Sequence, residues 1–192
     1  MQHGFDPRRI HTIYHYKIDI DSILPQQPFP EPSVLYAGTL TKERGPQMAI
    51  RCMPHVVEKV PNAVLRVVGP DTPERPYRPH LENLVARLGL SENLMFLGGR
   101  ANSDIIEMIH RSHVVIVPLQ WPNEFGPVIL LEAKCLGKPV VASRIGATPE
   151  FVDDGEDGFL APPDQPEAFA ERIVYLLQNP DEAKRIGGRA RE

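Results

Sequence analysis

Two carboxylates stand eight positions apart in the stretch NEFGPVILLEAKCLG, Glu124 just ahead of an apolar helical run and Glu132 inside it. The neighbours of Glu132 are Val128, Ile129, Leu130, Leu131 and Ala133. Val128 precedes it by one helical turn, on the same face. A carboxylate in such surroundings is costly unless donors reach it. A nearby lysine or arginine could supply them, and so could a ligand, for instance through the paired hydroxyls of a ribose. Glu124 belongs to the loop QWPNEFGP, which follows the apolar run HVVIVPL. Gly126 opens the helix, and Pro127 suits its first turn, where a missing N–H costs little. The other first-turn amides carry partial positive charge and suit an anion. A carboxylate beside an anion cradle fits a phosphorylated sugar, because carboxylates accept hydrogen bonds from hydroxyls.

A second group of residues could hold phosphate. The loop GTLTKERG contains Gly38, Thr39, Lys42 and Arg44 and leads into a helix. A glycine-bounded turn with two cations and a helix N-terminus is suited to an anion, although a solvated charged turn has the same composition. It matches neither the Walker A pattern nor the G-x-G-x-x-G fingerprint. In LGGR, residues 97–100, the glycines allow close backbone approach, and Arg100 either lines a pocket or faces solvent. Other chemistries lack their residues. His11 and His15, like His110 and His113, have no ligand-patterned partners. The acids of VDDGEDG lack calcium-loop spacing, and no nucleophile elbow is present. The two cysteines, Cys52 and Cys135, fall in apolar helices and are expected to be buried thiols in a reducing compartment. No metal site and no cofactor is expected.

These loops need a scaffold, and the sequence supplies a regular one. Short apolar runs read as buried strands: VLYAGTL, AVLRVVG, LMFLGG, HVVIVPL, PVVAS and GFLAPP. Between them lie helical patterns. QMAIRCMPHVVEKV carries Pro54 as an internal irregularity. SDIIEMIHRS has Ser103 as its expected N-cap. GPVILLEAKCLG is closed by Gly137. ATPEFVDDG reads as one or two turns, and DQPEAFAERIVYLLQ is capped near Asp164 or Gln165. PHLENLVARLGL and PDEAKRIGGRARE complete the set, and 10–20 reads as a strand or extended arm. This alternation predicts an α/β fold: a doubly wound, Rossmann-like parallel sheet of about six strands with helices on both faces. Ligands then bind beyond the carboxyl ends of the strands.

With 192 residues, 42% hydrophobic and 24% charged, the chain suits one domain with an appendage. We assign 1–33 to an N-terminal arm or interdomain linker and 34–192 to a binding domain. A net charge of −4 argues against a broad nucleic-acid surface. The polar N-terminus lacks the apolar core of a secretory signal, and no apolar stretch approaches the roughly 20 residues of a membrane span. A cytoplasmic setting is expected. Two proline clusters, in 25–32 and 70–79, read as rigid connections.

Taken together, these stretches resemble the C-terminal, donor-binding domain of the retaining glycosyltransferases of family 4, which have the GT-B architecture. Glu124, Phe125 and Gly126 through Glu132 look like that family's E-x7-E motif. EAKCLGKPVVASRIGATPEFVDDGEDGFLAPP continues in family order, with the turn at Gly146 to Glu150. GTLTKERG resembles the phosphate site written G-R-L-x-x-x-K-G, with Thr39 in place of the arginine and Arg44 in place of the lysine. Arg44 keeps the charge.

The resemblance implies roles. Glu124 would contact the donor sugar and stabilise charge during transfer. Phe125 and Gly126, with Pro127 and Val128 behind them, would present backbone groups to sugar and phosphate. Glu132 would take the ribose hydroxyls, while Gly38, Thr39, Arg44 and Arg100 complete the donor site. The partner is a nucleotide-diphosphate sugar, transfer needs no metal, and the acceptor is a glycan, lipid or small molecule. The N-terminal acceptor domain of the architecture is absent from these residues, so the chain alone is expected to bind nucleotide weakly and to transfer little sugar. The full enzyme could associate peripherally with the inner membrane surface. Two other readings use the same fold: a non-catalytic nucleotide-sugar binding module, and a sugar-nucleotide epimerase, against which the intact E-x7-E argues.

Overall fold

The computed structural model describes residues 27–123 and 127–191. The expected strand or arm over 10–20 lies outside them. Each of the six apolar runs forms a short strand: β1 Ser33–Ala37, β2 Val64–Val68, β3 Leu94–Gly98, β4 Val114–Val117, β5 Val140–Ser143 and β6 Phe159–Ala161. All neighbouring strands pair in parallel, in the order β3-β2-β1-β4-β5-β6. The helices are α1 Pro46–Lys59, α2 Arg78–Leu88, α3 Asn102–Arg111, α4 Val128–Cys135, α5 Pro166–Gln178 and α6 Pro180–Arg191. No described helix is long and apolar enough to cross a membrane.

The period-two alternation of a strand divides its side chains between two cores. Val34 and Tyr36 of β1 pack with residues of α1, α2 and α5, whereas Leu35 and Ala37 pack with α3 and α4. Burial on both faces is why the runs are continuously apolar rather than alternating. Pro54 sits inside α1 without ending it. A helix-interior proline costs roughly 3 kcal/mol, and the burial of Met48, Ala49, Cys52, Met53 and Val56 along that helix offsets it. Burial also pushes the Cys52 thiol up to about 12, so it does not ionise near neutrality.

Two local expectations need correction. Ser103 is not the cap of α3. The helix starts earlier, with Ala101 at the cap position and no side-chain cap bond. Ser103 turns instead to Asp104, 3.5 Å away. Cys135, the last residue of α4, is half-buried rather than buried. The stretch ATPEFVDDG forms a single 3₁₀ turn, Thr148–Glu150, the shorter of the one or two turns expected. Its acids close a turn rather than extend a helix: Asp157 accepts from the Asp153 amide at 2.9 Å, and Asp154 from the Leu160 amide at 2.9 Å. As expected, α5 is capped at Gln165, which makes no side-chain cap bond; Pro166 sets the first turn.

The segment entering β1 is clamped onto the domain. The Phe29 ring lies 3.7 Å from the Arg66 guanidinium carbon and 4.4 Å from that of Arg111. The Phe29 amide donates to the Arg111 carbonyl at 2.9 Å. Arg66, buried on β2, donates to Glu31. Further along, the Ser33 amide donates to His113 Nδ1 at 3.2 Å. The Arg66 hydrogen bond holds the Glu31 carboxyl below its ordinary value of 4.5. Burial, helped by Lys138, holds His113 below 6.5.

Both groups bind more protons unfolded than folded, so each adds stability that is full at high pH and fades in acid. The His113 share is lost as pH falls below 6.5, and the Glu31 share as it falls below 4.5. Thermal unfolding followed from pH 8 to pH 4 is expected to show a falling Tm. Glu31→Gln should flatten the lower part of that curve and leave the upper part in place.

Candidate functional site

The strand order reverses between β1 and β4. At such a switch point the loops beyond the two strands diverge and leave a crevice. Here those loops are 38–45 and 118–127, the same two that carry the candidate residues. Glycine allows them to meet. Gly45 has φ +77, and a Cβ there would stand 1.8 Å from the Pro118 carbonyl oxygen. The Gln120 amide donates to the Glu43 carbonyl at 2.8 Å. The Gln120 side chain donates to the carbonyls of Pro118, Leu119 and Pro163, which ties the β4 loop to the turn before α5. The Leu40 amide donates to the Pro70 carbonyl at 2.9 Å, adding the loop after β2.

The first loop is anchored within itself. Gly38 donates its amide to Val68 at 2.9 Å. The Thr39 carbonyl accepts from the Tyr36 hydroxyl at 3.1 Å. Burial raises the Tyr36 phenol well above its ordinary value, and the charge of nearby Arg44 opposes that rise. The Arg44 amide donates to Thr41 Oγ1 at 3.4 Å. Arg44, half-buried, stands at the end of this loop, just before α1.

Across the crevice, Pro127 is buried at the N-cap of α4, and no acid occupies the first turn. That turn can therefore face an anion without repulsion. Val128 is 50% exposed, so the helix is not the wholly buried rod its composition suggests. Glu132 is only 3% exposed. It already takes part in a polar or electrostatic contact within the protein, so a ligand hydroxyl would join or replace that contact. Lys134 is bound to Asp157 and to the Phe151 carbonyl. Glu124, Phe125 and Gly126 lie outside the described residues.

Arg100 follows β3. It is exposed and lines a groove of 330 Å³ with Arg66, Met95, Leu97 and Met108, between β3 and α3. Among the described residues no group of three or more His, Cys, Asp or Glu is arranged to hold a metal ion.

Sequence reasoning missed the struts. The sequence places Gln120, with Trp121, at the border of the sugar pocket, but nothing in it marks the side chain as a strut between loops. Asp71 did carry a signal: Asx residues organise turns. It accepts from the amides of Thr72, Tyr77 and Arg78 at 3.1, 2.7 and 3.1 Å. Burial raises the Asp71 carboxyl, but those amides together outweigh it, and its pKa lies below the ordinary 3.8. The proline-rich loop so fixed walls a 380 Å³ cleft against Thr41 and Lys42.

The Gly45 contact supports a sharp expectation. Gly45→Ala introduces left-handed strain worth about 1–3 kcal/mol plus a clash with backbone that cannot swing away. Chemical denaturation should show a loss of at least about 2 kcal/mol. Unchanged stability would mean the two loops do not depend on this approach.

A family model described as glycosyl transferases group 1 matches residues 19–192. The chain belongs to the glycosyl transferases group 1 family. Among relatives of this group 1 domain, a D-inositol 3-phosphate glycosyltransferase of Corynebacterium efficiens is 30% identical over 160 residues, covering 80% of this chain and 36% of the relative. The HepE protein of Anabaena, crystallised with UDP, superposes with a TM-score of 0.78 at 28% identity, covering 84% of this chain and 43% of that one. A sucrose-phosphate synthase from Thermosynechococcus elongatus gives a TM-score of 0.74 at 30% identity, covering 84% and 40%. The group 1 domain described here thus spans well under half the length of these relatives.

Proposed function

We propose that this domain binds the nucleoside diphosphate sugar for a retaining glycosyl transfer, and that a second domain, N-terminal to it in the whole enzyme, supplies the acceptor site and a further catalytic residue. The observation that carries the reading is the union of two loops at the switch point, one cationic and ending at Arg44, the other leading through Glu124 into the Glu132 helix. HepE, 29% identical, was crystallised with UDP-glucose, which supports a donor of this class.

The chemistry follows from where charge develops. As the bond between the sugar's anomeric carbon and the diphosphate breaks, the leaving nucleotide gains negative charge. Arg44 and the first-turn amides of α4 offset it, as preorganised donors do. The sugar passes through an oxocarbenium-like state, with the Glu124 carboxylate stabilising its positive charge. Glu132 receives the ribose hydroxyls. No metal ion is required, because the protein's own cation and helix terminus face the diphosphate.

Thr39 in place of an arginine favours one other reading, a binding module without transfer. Calorimetric titration of the 192-residue chain with UDP, GDP and ADP in the presence of EDTA tests the shared premise. Binding of one nucleotide, unaffected by the chelator, is expected. No heat from any of the three would reject a donor site. Transfer assays on the two-domain enzyme then separate enzyme from module.

A further inference from the structure

Five large apolar side chains stand well exposed among the described residues: Leu88, Met95, Trp121, Val128 and Tyr175. Two of them, Trp121 at 52% and Val128 at 50%, flank the Glu124 segment on either side. Single exposed apolar residues are ordinary, but the backbone on either side of Trp121 is tied down. Gln120 before it is pinned by hydrogen bonds to Glu43, Pro118, Leu119 and Pro163. Pro122 after it is approached by Gly146, whose φ is +56 and where a Cβ would stand 2.4 Å from the Pro122 carbonyl oxygen. These contacts fix the backbone on both sides of Trp121, whose indole is about half exposed. It is the chain's single tryptophan, and it lies on the loop after β4, three positions before Glu124 in the sequence.

An indole offers a broad apolar face and one N–H donor. The ring of a pyranose offers a complementary surface, since its C–H bonds collect on its faces while its hydroxyls point around the edge. We propose that Trp121 is a stacking platform for the hexopyranose of the donor, and so a specificity-determining residue that responds to the sugar and not to the nucleotide. This rests on the donor-site reading above. A bare nucleoside diphosphate, held by Arg44, the α4 terminus and Glu132, leaves the indole in water. The sugar conjugate covers it.

The lone tryptophan makes the test direct. The emission of the 192-residue chain is followed while UDP, GDP and ADP, and their glucose, mannose and N-acetylglucosamine conjugates, are titrated, with calorimetry in parallel. A sugar conjugate is expected to shift the emission to the blue and to protect it from iodide quenching, whereas its parent nucleotide binds without either change. Trp121→Ala should weaken the conjugate by about threefold to tenfold and leave the parent nucleotide unaffected, and Trp121→Tyr should restore most of the loss. If calorimetry shows a conjugate bound while the emission matches that of the bare nucleotide, or if Trp121→Ala binds the conjugate as well as the unaltered chain does, the stacking role is wrong although the donor site stands. If no nucleotide binds at all, the donor-site reading falls and this inference falls with it.

Discussion

Glu124→Ala, made in the two-domain enzyme, is expected to lower kcat by about 10²–10³-fold, the range seen when a group aimed at developing charge is removed. Nucleotide affinity should stay within about threefold, a difference of well under 1 kcal/mol. The two effects would separate if, as proposed, Glu124 acts on the sugar, whose positive charge grows only as the bond to the diphosphate breaks. An interaction made mainly in the transition state lowers kcat without moving ground-state binding. Glu124→Gln sharpens the result. It keeps the size and one hydrogen-bonding oxygen but removes the charge. If charge is what matters, the glutamine variant should be nearly as slow as the alanine variant. If the role is only to orient a sugar hydroxyl, glutamine should recover most of the rate. Full activity of both variants would remove Glu124 from the mechanism.

Glu132→Ala should act on binding instead. Hydrogen bonds to a charged group contribute about 1.5–3 kcal/mol each, so losing the ribose contacts predicts roughly 10–100-fold weaker nucleotide. Glu132 is 3% exposed and already engaged within the protein, so a simple truncation also disturbs α4. A substrate change isolates the ligand contribution. The 2′-deoxy nucleotide should bind the unaltered chain about tenfold less tightly or worse. Against Glu132→Gln, the penalty for deoxy substitution should largely vanish, because the carboxylate that valued the hydroxyl is gone. An equal penalty in both proteins would place the ribose elsewhere.

The scaffold was largely readable from the chain. Six apolar runs of strand length, separated by helical patterns, could bury both faces only as a parallel sheet, and all six form strands of one. The loops that matter were readable for the same reason, since a parallel sheet sends ligands to its carboxyl edge. What could not be read is how those loops are held together. Gly45 against Pro118, Gln120 across to Pro163, and Gly146 against Pro122 are contacts between segments far apart in sequence. Nothing in the local composition marks a glycine as the point where another backbone will pass.

Helix ends were the other weak place. Ser103 is a good cap by residue type, but α3 begins one residue before it and turns its hydroxyl toward Asp104. The VDDGEDG acids look like a helix end followed by a solvated turn. In the structure they bind backbone amides and Lys134, and so shorten the preceding helix to one 3₁₀ turn. Arg100 shows the limit on the site itself. Its position after β3 fits a pocket residue, and it does line a groove, but one lined with Arg66 and Met108 and by no residue of the first loop.

The central claim is that the crevice between the β1 and β4 loops holds a nucleoside diphosphate. Amide chemical shifts of the 192-residue chain, recorded during titration with whichever of UDP, GDP or ADP binds, test it most directly. The account predicts perturbations concentrated at 38–45 and from 120 to Ala133, saturating with the calorimetric Kd, and absent from α2 and α6. Shifts confined to the Arg66 and Met108 groove, or spread evenly over the surface with no focus on those loops, would contradict it.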